Sequence, residues 1–187
     1  MDKRKVILVT DGDKVAQAAV EIAASNIGGR SIPASAGNPT LLTGKEIVEK
    51  AKKAEHDPVV VMVDDRGEKG EGPGEKAMNA ILKDENVDVI GIVAVSSNGK
   101  DCNGVNVTCS ITREGEIING GVDKNGNNIH TNFICGDTLS ILKNKKNMVI
   151  VGIGDPGKMD YSDEVSRGAP ITTKALKEII KRSGYGS

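Results

Sequence analysis

Aromatic side chains are almost missing. Phe133, Tyr161 and Tyr185 are the whole complement of a 187-residue chain that has no tryptophan. The core must therefore be built from Val, Ile, Leu and Ala, and the platforms on which single-stranded nucleic acids stack are not available. An excess of basic charge is missing too. The 25 Lys and Arg against 26 Asp and Glu leave a net charge of -1, so no global field draws the chain to nucleic acid, and none is expected as a partner. No run reaches the roughly 18 apolar residues needed to span a bilayer. The opening Met1-Asp2-Lys3-Arg4-Lys5 leads into a short apolar run without the small-residue cleavage site of a secretory signal, so a cytoplasmic origin is expected. Histidine is confined to His56 and His130, and no Gly-x-Ser-x-Gly elbow occurs, which leaves no nucleophile–base pair to propose. Cys102, Cys109 and Cys135 are odd in number and contain no Cys-x-x-Cys pair. Reduced, partly buried thiols are the expectation, rather than a zinc site with His130.

What is present is a rhythm of apolar runs and amphipathic stretches. Val6–Val9, Val59–Val63, Val89–Val95 and Met148–Val151 read as buried strands. Val15, Ala18, Ala19 and Ile22 make one helical face, with Asp13 at its N-cap. Thr43-Gly44-Lys45-Glu46 has the form of a capping box ahead of Ile47, Val48, Ala51 and Ala54. Pro73 suits the first turn of a helix carrying Ala77, Met78, Ile81 and Leu82. A short strand is expected over 30–34, a short helix capped by Asp137, and a final helix over 170–182. On that last helix Lys174, Lys177, Lys181 and Arg182 lie opposite the apolar stripe, a basic face open to peripheral membrane association.

Residues 97–133 change character. Four Asn-Gly turn signals fall there, Val105, Val107, Cys109 and Ile111 alternate with polar residues, and Arg113-Glu114-Gly115 reads as a hairpin turn. The expected architecture is a single α/β domain over 1–187, with a mainly parallel sheet in three layers and an antiparallel hairpin or edge insertion at 97–133.

Ligands of open parallel sheets bind beyond the carboxyl ends of the strands. Three loops meet that description, and all carry acid and glycine. Asp11 and Asp13 follow the first strand, and Asp64 and Asp65 follow the second long one. These four are the candidate ligands for Mg²⁺ or Ca²⁺, hard cations that take carboxylate oxygen. The pattern is similar to a Toprim-type, Rossmann-like domain, but the first loop has no glutamate and the second is Asp-Asp rather than Asp-x-Asp. A second candidate surface, for a ligand or partner, is made by Gly67, Gly70, Gly72 and Gly74 together with Gly152, Gly154, Asp155, Gly157 and Lys158. The last five spell the Walker A spacing. Met159 stands where the Mg²⁺-binding hydroxyl belongs, however, and Asp155 would repel phosphate, so no nucleotide is expected.

Longer stretches resemble a known family. VILVTDGD (6–13), SAGNPT (35–40), DPVVVMVDDRGEKGEGPGEKAM (57–78), GVDK (121–124), GDTLSIL (136–142), VGIGDPGKM (151–159) and RGAPITTKA (167–175) are similar to the soluble form of stage V sporulation protein AE of endospore-forming bacteria. The resemblance implies a non-enzymatic accessory role in sporulation and germination, linked to uptake and release of calcium dipicolinate. It also implies a peripheral place at the spore inner membrane, with other proteins of the dipicolinate-channel system as partners. It brings no catalytic residues. The residues themselves leave a second reading open, a metal-dependent phosphoesterase or a small-ligand or cation-binding domain using the acidic crevice. They do not decide whether the chain self-associates.

Overall fold

The computed structural model describes residues 2–67, 71–97, 104–145 and 147–186. The helices are α1 (Lys14–Asn26), α2 (Gly44–Lys52), α3 (Pro73–Lys83) and α4 (Pro170–Ser183). The long strands are β1 (Arg4–Val9), β3 (Val59–Met62), β4 (Val87–Val95) and β9 (Ile150–Ile153). Shorter ones are β2 (Arg30–Ser31), β5 (Val105–Asn106), β6 (Cys109–Ile111), β7 (Ile117–Ile118) and β8 (Phe133–Ile134). Seven strands form one sheet in the order β2-β3-β1-β4-β9-β6-β7. Every neighbouring pair in it is parallel except β6 with β7. A separate antiparallel ribbon joins β5 to β8. The chain is thus an α/β fold with a mostly parallel sheet, as its alternation of runs and stripes implied.

The three layers follow from the two-residue period of a strand. Val6 and Leu8 of β1 face one side and pack with Val59, Val61, Ile47, Val48, Met78 and Ile81 beneath α2 and α3. Ile7 and Val9 face the other, with Val60, Met62, Ala16, Val20, Leu176 and Ile179 beneath α1 and α4. Both faces are covered, so the central strands read as unbroken apolar runs instead of alternating ones.

Helix starts are fixed by two different devices. Asp13 accepts from the Ala16 amide at 2.8 Å, and Thr43 with Glu46 forms the complete capping box. The caps of α3 and α4 come from further away. Gly72 precedes α3 and offers no side chain, so the Gly74 and Glu75 amides donate instead to Asp65 Oδ1, at 2.6 and 3.1 Å. Ala169 precedes α4, and the Ile171 and Thr172 amides donate to Asp163 Oδ1 at 2.7 and 3.0 Å. Burial pushes the Asp163 carboxyl above its ordinary pKa, and these bonds pull the other way.

The middle segment differs from the sequence expectation in detail. The alternating run 105–111 is two strands. β5 pairs with β8, whereas β6 joins the main sheet parallel to β9 and turns back antiparallel through β7. Thr108 makes the break: its amide donates to the Ile150 carbonyl at 2.7 Å, and its hydroxyl accepts from the Ile150 amide at 3.0 Å, which ties the link between β5 and β6 to β9. The short helix expected after Asp137 is only a 3-10 turn, Ser140–Leu142, with no side-chain cap. The strand expected over 30–34 stops at Ser31, because Pro33 opens a 3-10 turn. Cys109 is free and buried, but Cys135 is disulfide-bonded, which corrects the expectation of three reduced thiols. Cys102 and Gly70 lie outside the described residues. On α4, Lys177 and Lys181 face solvent, while Lys174 donates to the Gly115 carbonyl and Arg182 pairs with Glu178 at 2.9 Å. Among the described residues no helix is long and apolar enough to cross a membrane.

Candidate functional site

The sheet order creates one place where loops diverge. From β1 the chain passes through α1 to β2 on one edge, whereas from the adjacent β4 it continues toward the β9 side. Between those two carboxyl ends a crevice opens, as it does at the switch points of other open α/β sheets. Its volume is about 290 Å³, and its walls include Asp11, Asp13, Asp64, Asp137, Asp155, Ser96, Arg66 and Lys158.

Each acid is placed by local bonding. Thr10 closes the end of β1 against β4, its amide donating to the Val93 carbonyl and its hydroxyl accepting from the Val95 amide. That sets Asp11 just past the sheet, where its Oδ1 accepts from the amides of Gly12 at 2.7 Å and Asp13 at 3.2 Å. Asp13 is held by the α1 cap described above. Asp155 follows β9, with Oδ1 accepting from Gly157 N at 2.9 Å and Oδ2 lying 3.0 Å from Lys158 Nζ. Carboxylate oxygens of Asp11, Asp13 and Asp155 come within 4.8 Å of one another, and all three residues are half-buried. Ca²⁺–oxygen bonds of about 2.3–2.6 Å put opposite ligands about 4.6–5.2 Å apart, so oxygens this close can share one ion.

The cost of gathering these charges falls on Asp11. Burial first, then the charges of Asp13, Asp155 and Asp64, raise its pKa from 3.8 to about 7, against the opposing hydrogen bond from the Asp13 amide. Burial likewise raises the pKa of Asp64, against the hydrogen bond from the Arg66 amide, with Asp137 the largest of the contributing charges.

Of the four acids expected to bind metal, Asp11 and Asp13 meet, and Asp64 lines the same crevice. Asp65 is directed the other way, onto the start of α3. Asp65→Ala is therefore expected to destabilise the fold by about 1–3 kcal/mol, the cost of leaving buried amides unpaired, while cation affinity is retained. Chemical denaturation together with calorimetric titration checks both halves. The third member of the cluster is Asp155, read from sequence as the acid of the third strand-end loop and assigned to the ligand or partner surface rather than to the metal ligands. Asp137 and Ser96 escaped that reading, since each ends a segment whose partner strands are remote in sequence.

The glycines of the expected contact loops have mixed placements. A Cβ on Gly72 would meet the Asp65 carboxylate at 2.4 Å, and one on Gly74 would meet the Asp64 backbone at 2.6 Å. A Cβ on Gly152 or Gly154 would collide with Ser110 Oγ at 2.4 Å or the Gly126 amide nitrogen at 2.6 Å. Gly67 has room, with its nearest neighbour at 3.6 Å, whereas a Cβ on Gly157 would sit tightly against Asp155 Oδ1 at 3.3 Å. The Walker-like stretch is followed by turns rather than a helix, and its Asp155 binds the Gly157 amide inside the loop.

No curated protein and no solved structure matches the chain. The sequence profile of Stage V sporulation protein AE1 matches residues 5–183, which takes in all of the elements described above except Arg4 at the start of β1. The chain therefore belongs to the stage V sporulation protein AE1 family, and its role lies in sporulation.

Proposed function

We propose that the protein is a non-enzymatic accessory factor of sporulation and germination that binds a divalent cation in the crevice between β1, β4 and β9. The cation is calcium, and the setting is uptake and release of calcium dipicolinate at the spore inner membrane. The observation that carries the cation reading is the convergence of Asp11, Asp13 and Asp155 within 4.8 Å at a topological switch point. The family supports the sporulation role, and the dipicolinate setting is what the resemblance implies. Partners are other inner-membrane proteins of the dipicolinate-channel system, engaged through the exposed residues beside the crevice, with Lys177 and Lys181 available to an anionic surface.

Calorimetric titration with Ca²⁺, Mg²⁺ and Mn²⁺, each with and without dipicolinate, tests the reading. Saturable Ca²⁺ binding is expected in the native chain, with loss of at least about tenfold in affinity in Asp13→Asn or Asp155→Asn, since each removes one of three anionic ligands. Absence of binding for all three ions would return the carboxylates to capping and loop roles. A second reading, a metal-dependent phosphoesterase, draws on the same three carboxylates, which suit an ion that would polarise a phosphoryl oxygen. Metal-dependent phosphoester turnover that disappears in Asp11→Asn would replace the binding role with this one.

A further inference from the structure

An apolar strip on the surface lies outside both cores. On α1, Val15 is 54% exposed and Ala18 is exposed, with the half-buried Ile22 one turn further on. At about 100° per residue these three share one side of the helix, next to the face that buries Ala16, Ala19, Val20 and Ala23. Residues 157–168 run along that side as a strap. A Cβ on Gly157 would lie 3.6 Å from Val15 Cγ1, and Asn26, at the far end of α1, donates to the Gly168 carbonyl at 2.9 Å. Between those ends Met159 and Asp163 are buried, whereas Tyr161 is 72% exposed and Val165 44%. Asp160 and Tyr161 both lie in the left-handed region, with φ of 51° and 61°, at the turn that leaves the tyrosine in solvent. An exposed tyrosine beside aliphatic side chains is the usual anchor of a protein–protein contact.

Charge along the strip selects its occupant. Toward the Val15 end stand Lys14 on the helix and Asp160 on the strap, and toward the Asn26 end Glu21 on the helix and Arg167 on the strap. Among the described residues none of these four forms an ion pair within the chain. Each end carries one charge of each sign, and the two signs are exchanged between the ends. The four charges sum to zero, so neither an anionic lipid surface nor a peptide of one sign gains from them. A second copy of the chain does. We infer that this strip is the interface of a homodimer, with a two-fold axis crossing α1 near Ala18 and the two copies of α1 antiparallel. Such an axis lays helix on helix and strap on strap with their ends reversed. It sets Lys14 against Glu21 and Asp160 against Arg167 of the second copy, and Tyr161 against its Val165. Ala18 lies midway between Lys14 and Glu21, two helical turns apart, and its small side chain lets the helices approach to the roughly 8–10 Å of packed pairs. Glu21 Oε1 accepts from Gln17, which leaves Oε2 for the lysine, and Arg167 spends only one donor, on the Tyr161 carbonyl.

Sedimentation equilibrium tests this on the native chain and on Ala18→Glu, Asp160→Lys and Arg167→Glu, all substitutions at exposed positions. A dimer with a dissociation constant on the order of 10–100 µM is expected, the weak end for a face about one helix long. Ala18→Glu brings two like charges together at the axis and should weaken the dimer at least about tenfold. Asp160→Lys and Arg167→Glu each oppose like charges across the interface, and each alone should weaken it about three- to tenfold at low salt. Mixed in equal amounts, these two variants carry matching charges and should form a heterodimer of native strength. That recovery also shows that both variants are folded. A native chain that stays monomeric at roughly millimolar concentration overturns the inference and leaves the strip to a partner of another sequence. A dimer indifferent to Ala18→Glu, or a mixture that associates no better than its components, overturns it as well, by placing the contact elsewhere or in another orientation. Circular dichroism of Ala18→Glu separates lost association from lost folding.

Discussion

Asp11→Asn is expected to make the protein more stable at pH 8 while removing most of its affinity for divalent cations. The Asp11 carboxyl has a pKa of about 7 in the fold against 3.8 in an unfolded chain, because burial and three neighbouring carboxylates oppose its charge. A raised pKa means that the folded state holds its proton longer than the unfolded one. Between about pH 4 and pH 7 the folded state therefore binds more protons, and stability falls as pH rises through that window. At pH 8 the penalty is fully present, roughly 2–4 kcal/mol for a shift of this size. Asparagine keeps an acceptor for the Gly12 and Asp13 amides and carries no charge. The variant should melt about 5–10 °C higher than the native chain at pH 8, and the difference should close near pH 4, where both side chains are neutral. Calorimetric melting curves at the two pH values read it directly. A variant that melts lower at pH 8, or a gap that persists at pH 4, would show that the carboxylates are not strained by one another. The same charge makes cation binding pH-dependent. In the native chain, affinity should climb by up to about tenfold per pH unit below 7 and level off above it, as protons cease to compete for Asp11.

Gly74→Ala is expected to act against helix propensity. In an exposed helix this change stabilises by up to about 1 kcal/mol. At Gly74 the added Cβ would lie 2.6 to 2.7 Å from the carbonyl carbon, oxygen and nitrogen of Asp64, all backbone atoms with no rotamer to yield. Either α3 lifts from the end of β3 or Asp64 leaves the crevice wall. Overpacking of this kind costs typically about 1–3 kcal/mol, so a net loss of roughly 2 kcal/mol and a melting point lower by about 4–8 °C are expected. A higher melting point would mean that the close approach relaxes freely and that this glycine answers to something other than packing. Gly67, whose nearest neighbour to an added Cβ is 3.6 Å away, tests the alternative from the same loop, since any penalty there comes only from its positive φ.

The two results mark where sequence reasoning succeeds on this chain and where it stops. Whatever depends on neighbours three or four residues apart was legible. The capping box at Thr43, the Asp13 cap, Pro73 at the first turn of α3 and the apolar stripes of α2, α3 and α4 are local patterns with local causes. The face expected for α1, however, was misplaced: Val15 and Ala18 are exposed, and Ala16, Ala19, Val20, Ala23 and Ala24 are the buried ones, because alanines on every side of that helix leave its stripe weakly marked. The unbroken Val and Ile runs of β1, β3 and β4 required a sheet covered on both faces, which in turn implied parallel strands, and Asp11 and Asp13 were marked by following such a run. The rest was decided by residues far apart along the chain. Asp64 and Asp65 are adjacent in sequence and equal in charge, yet one lines the crevice and the other caps α3, because Gly72 leaves that helix without a cap of its own. Asp155 joins Asp11 and Asp13 only because β9 pairs with β4 and brings its loop across the 141 residues that separate it from Asp13. Strand order, which no local period encodes, is what turns three separate acidic loops into one site.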